Sequence, residues 1–140
     1  MNDYSDIIFL TGAMIIFSTL SLNTVKFFNT NDQIEYQSKL QYNGIAVAQD
    51  KIEEIRWIAD EDRFKAGSSS FLERDYPSTV TQTYGDENQF EFDYTVNVDV
   101  APTSITGSNA TNYRVTVLVS NSELPDNQTI TTEYIKSFGN

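Results

Sequence analysis

The run Ile7-Ile8-Phe9-Leu10-Thr11-Gly12-Ala13-Met14-Ile15-Ile16-Phe17-Ser18-Thr19-Leu20-Ser21-Leu22-Asn23-Thr24-Val25 contains no charged side chain. As a helix rising about 1.5 Å per residue it reaches about 28 Å, close to the roughly 30 Å hydrocarbon thickness of a bilayer. Lys26 follows it, then Phe27 and Phe28. The remainder of the 140-residue chain is polar and acidic. One greasy N-terminal rod joined to a small polar domain is the arrangement to be explained.

On the N-terminal side stand Met1-Asn2-Asp3-Tyr4-Ser5-Asp6, acidic and without Lys or Arg. Signal peptides carry a basic leading region and a small-residue cleavage site. Neither surrounds this run, so it reads as retained in the working protein.

On the C-terminal side the helical period continues. Ile45, Ala48, Ile52, Ile55 and Ala59 fall on one stripe, and Glu53, Glu54, Arg56, Asp60, Glu61 and Arg63 lie mostly opposite. Ile34, Tyr36, Leu40, Tyr42 and Val47 make a looser second apolar surface. The expected element is one long helix, membrane-like and then amphipathic, with weak points at Asn29-Thr30-Asn31-Asp32 and at Gly44. Lys65 to Ser70 reads as its end, with Gly67 as the C-cap. Phe71, Leu72 and Tyr76 are expected to tuck under the following domain.

From about Thr79 the period changes to two. Phe90, Phe92, Tyr94, Val96, Val98 and Val100 alternate with Glu91, Asp93, Thr95, Asn97 and Asp99, the mark of a half-buried strand. Tyr113, Val115, Val117 and Val119 give a second strand. Thr129 to Ser137 gives a third, with Ile130, Tyr134 and Ile135 as its apolar content, and Thr79 to Tyr84 a fourth. Gly85-Asp86-Glu87-Asn88 and Leu124-Pro125-Asp126-Asn127 read as turns, and Pro102 to Asn112 as a polar loop. A helix followed by strands at hairpin spacing is α+β with an antiparallel sheet of three to four strands. The expected division is residues 1–28 as the apolar helix, 29–66 as its amphipathic continuation and 67–140 as the β head. The helical stripe is the available cover for the sheet.

Composition narrows the function. With 9 basic and 20 acidic residues the net charge is -11. Such a surface repels phosphate, which argues against a nucleic-acid partner. The chain has no cysteine and no histidine. Disulfides and thiolate metal sites are therefore excluded, and the commonest general base and zinc ligand are missing. No phosphate loop or nucleophile triad is present, so no enzymatic activity, cofactor or small-molecule substrate is expected. The acidic groups Asp60-Glu61-Asp62 and Asp86-Glu87-Asn88 lack the spacing of a calcium loop and read as solvated surface. Asn109-Ala110-Thr111 and Asn127-Gln128-Thr129 match the N-glycosylation pattern, which makes Asn109 and Asn127 candidate acceptors. Trp57 lies off the helical stripe; it is expected to pack locally or on a neighbouring subunit.

In architecture the chain resembles the type IV pilin-like proteins. The resemblance rests on the N-terminal apolar helix, its amphipathic continuation Ala46-Val47-Ala48-Gln49-Asp50-Lys51-Ile52-Glu53-Glu54-Ile55-Arg56, and a C-terminal antiparallel sheet containing Tyr113-Arg114-Val115-Thr116-Val117-Leu118-Val119. It implies a subunit of a cell-surface filament, inserted in the membrane before assembly. Its partners would be identical or homologous subunits in a helical polymer. A pseudopilin of a type II secretion-like machine is the second implication. A monomeric single-pass membrane-anchored binding domain remains open from another class. Family members are cut from a short leader and usually carry Glu at mature position five, which pairs with a neighbouring subunit's terminal amine. Ser5 stands there in this chain, so Asp6, and after it Asp3, is the candidate for that role. The assembly surface implied is Ile7, Ile8, Phe9, Leu10, Met14, Ile15, Ile16, Phe17, Leu20 and Leu22, with the acids beside it.

Overall fold

The computed structural model describes residues 3–84, 90–107, 109–125 and 128–139. Helix α1 spans Asp3–Arg56. Two single 3-10 turns follow, Glu61–Phe64 and Leu72–Asp75. Strands β1 (Ser78–Tyr84), β2 (Phe90–Thr103), β3 (Thr111–Ser120) and β4 (Thr129–Phe138) complete the chain. They form one antiparallel sheet in the order β1-β2-β3-β4, so each strand pairs with its neighbour in sequence. The fold is α+β, a long N-terminal helix with a four-stranded antiparallel sheet. Two compact units divide the chain, Met1–Ser38 and Lys39–Asn140.

In the second unit, alternation along the strands sorts side chains to two faces. Phe92, Tyr94, Val96, Val98 and Val100 of β2 and Tyr113, Val115, Val117 and Val119 of β3 are buried. The opposite face carries Thr81, Asp93, Thr95, Asp99 and Arg114, all exposed. On β4 the inward set is Ile130, Tyr134 and Phe138, which pack on the core. Ile135, part of the apolar content expected of this strand, is 51% exposed. Adjacent residues of a strand point to opposite sides, so Tyr134 and Ile135 cannot both face inward.

Residues 39–56 of α1 cover this face, in part through the expected stripe, of which Ala48, Ile52 and Ile55 are buried. Leu40, Val47, Ala48, Ile52 and Ile55 are buried, whereas Ile45 is 45% exposed and Ala59 lies beyond the helix, exposed. The helix is turned so that Gly44, itself buried, faces the sheet. A Cβ at Gly44 would collide with Ile130 Cδ1 and lie 3.2 Å from Tyr94 Cε1. The missing side chain is what lets helix and sheet approach here.

The helix also ends sooner than expected, at Arg56 rather than near Lys65 to Ser70. The Ile58 amide bonds to the Ile55 carbonyl at 3.1 Å, tightening the last turn. Lys136 Nζ of β4 donates to the Arg56 carbonyl at 2.5 Å and satisfies one of the orphan acceptors of that helix end. Asp60 then takes an extended ψ of 110° and its side chain accepts from the Asp62 amide, opening the first 3-10 turn. That turn brings Phe64 inward against Phe138 and Tyr113, with ring centroids 5.2 and 5.8 Å apart. Gly67 does adopt a positive φ of 91°, in the turn after this segment rather than as a helix cap.

As expected, the connector is packed beneath the sheet. Leu72 is buried and Phe71 and Tyr76 lie against the core. Arg63 Nη2 bridges to Asp75 Oδ2 at 2.5 Å, tying the two 3-10 turns together. Pairing of β1 with β2 stops at Ser78 opposite Val96, while β2 runs on to Thr103. Glu73 Oε1 accepts the Val100 amide at 2.7 Å on this uncovered stretch. The loop expected from Pro102 is shorter, because Pro102 pairs opposite Tyr113 within the ladder. Beyond the end of β1 that stretch of β2 is an edge, where a proline is tolerated.

Candidate assembly surface

The first unit is the N-terminal part of α1. Ile7, Ile8, Phe9, Leu10, Met14, Ile15, Ile16, Phe17, Leu20 and Leu22 are between 58% and 74% exposed. These positions fall on every side of the helix. A helix that is apolar all round requires an apolar environment on every side. α1 is the one helix among the described residues long and apolar enough to cross a membrane, and none of its apolar window is buried within the chain. The core helix of a water-soluble domain would be covered by its own chain; this one is not.

The polar side chains scattered through the run are disposed accordingly. Thr11 Oγ1 donates to the Ile7 carbonyl, Ser18 Oγ to Met14, Thr19 Oγ1 to Ile15 and Thr24 Oγ1 to Leu20, all at 2.8–2.9 Å. Thr30 Oγ1 repeats the pattern on the Lys26 carbonyl at 2.9 Å. Each hydroxyl proton is satisfied one turn back along its own helix. Without that bond, a hydroxyl moved from water into an apolar phase costs several kcal/mol, about 4–8 on the cyclohexane scale. At these positions the segment presents hydrocarbon and self-bonded hydroxyls to whatever surrounds it; Ser21 and Asn23 lie exposed among them.

Asp6 lies exposed in the first turns of α1. A carboxylate there is favoured by the partial positive charge of the helix N-terminus. The side chain of Asp3 lies outside the described residues, as do Asn127 and the Asp86-Glu87-Asn88 group. Asn109 is exposed in the connection between β2 and β3.

In the second unit the acidic group Asp60-Glu61-Asp62 serves local structure. Asp60 caps the first 3-10 turn, Asp62 Oδ1 pairs with Lys65 at 3.3 Å, and Glu61 Oε1 accepts from the Tyr113 hydroxyl at 3.3 Å. Desolvation, with Glu61 beside it, raises the Tyr113 pKa. Among the described residues no three acidic side chains gather as a metal site. Trp57 is 82% exposed, so local packing does not account for it.

Sequence reasoning missed Gly44 as a contact point, Glu73 as a partner for a strand amide and Lys136 as the cap of α1. A glycine at a buried helical position is the one signal that pointed to the first. The other two follow from tertiary register and leave no local mark. No known protein family, curated protein or solved structure matches this chain.

Proposed function

We propose that this chain is the structural, non-enzymatic subunit of an extracellular type IV pilus-like filament, held in the membrane by residues 7–28 before assembly. The observation that carries the reading is the apolar run exposed on all sides of α1, with the hydroxyls of Thr11, Ser18, Thr19 and Thr24 bonded internally. Burying about a dozen such side chains is worth about 1.5–3 kcal/mol each, before ordering costs. A core of many parallel rods supplies that burial. Heterologous contacts that repeat without closing produce an open fibre. The sheet domain, polar and acidic on its outer face, suits the water-facing shell. Asp6 meets a neighbour's terminal amine, since a carboxylate inside such a core needs a positive partner.

The test is negative-stain microscopy of material sheared from cells, for the wild-type chain and for Asp6→Ala. Fibres from the wild type are expected. The variant should insert in membranes normally yet yield few or none. A chain recovered only as dispersed single copies in detergent would leave the membrane-anchored monomer as the correct reading. Short, stub-like fibres instead of long ones would favour a pseudopilin-like role.

A further inference from the structure

We draw no further inference here: the strongest candidate, the cleft of about 180 Å³ lined by Lys51, Glu54, Arg63, Asp75, Tyr76 and Ser78, carries nothing, because its charged groups already pair as Lys51–Glu54 and Arg63–Asp75 and its unpartnered Arg63 Nε and Ser78 Oγ are closed to solvent.

Discussion

The Tyr94 hydroxyl donates to the main-chain carbonyl of Leu40 at 2.8 Å, and both residues are fully buried. The helical ladder already offers that carbonyl to the amide of Gly44, so it accepts twice. β2 thereby grips the backbone of α1 itself, over the one position in the covering helix that lacks a side chain. Tyr94→Phe keeps the ring and removes the bond. The expected cost is about 1 kcal/mol, which in a domain of this size lowers the melting midpoint by roughly 4–8 °C. Calorimetry of the full chain in detergent measures it; an unchanged midpoint would show that the bond contributes nothing.

Gly44 should tolerate no large side chain. Gly44→Leu drives atoms into Ile130 and the Tyr94 ring, and overpacking of this kind costs about 1–3 kcal/mol. Gly12 has nothing within 4 Å of an added Cβ, so Gly12→Leu should leave unfolding of the sheet domain unaltered. Urea titration of the two variants side by side separates them. Equal midpoints would mean that α1 does not approach the sheet at Gly44.

Alkaline pH should loosen the sheet domain. Burial, with Glu54 and Asp75 nearby, pushes the Tyr76 pKa up to about 12, and burial alone does the same for Tyr134. The unfolded value is about 10. The folded state therefore holds protons that the unfolded state releases. This stabilising contribution is complete below about pH 10 and declines as pH rises towards 12. Melting midpoints measured from pH 8 to pH 11.5 should fall more steeply for the wild type than for the double variant Tyr76→Phe, Tyr134→Phe. At neutral pH Tyr134→Phe alone should be neutral or slightly stabilising, because its buried hydroxyl has no hydrogen-bond partner. Parallel pH curves for the wild type and the double variant would rule this out.

Trp57 is the single tryptophan of the chain and stands 82% exposed. Its fluorescence in the detergent-dispersed chain should be red-shifted and freely quenched by iodide. Trp57→Ala should change stability by no more than about 0.5 kcal/mol, as an exposed substitution does. Blue-shifted, protected emission from the detergent-dispersed chain would contradict the exposed position.

The sheet was legible because alternation is a strong constraint. From Phe92 to Val100 every second residue is buried, and a slip of one would expose them all. The β4 stretch was harder, since Tyr134 and Ile135 are neighbours and only the register with Val115 and Arg114 decides which one faces inward. The rotation of α1 was legible at Ala48, Ile52 and Ile55 but not at Ile45 and Ala59. Ile45 and Leu40 are both apolar, and the choice between them belongs to the close approach at Gly44, a tertiary fact. The early helix end has the same character: nothing in Trp57-Ile58-Ala59 forbids another turn, but Phe64 must reach Phe138 and Lys136 meets the Arg56 carbonyl. The apolar run, by contrast, could be read directly, because its length and its want of charge are properties of the chain alone.

The backward-bonded hydroxyls of Thr11, Ser18, Thr19 and Thr24 have a mechanical consequence. Because each proton is already engaged within its own turn, exchanging one apolar surrounding for another would require no exchange of hydrogen bonds by these groups. For these four side chains, shape rather than hydrogen-bonding need decides what can lie against them.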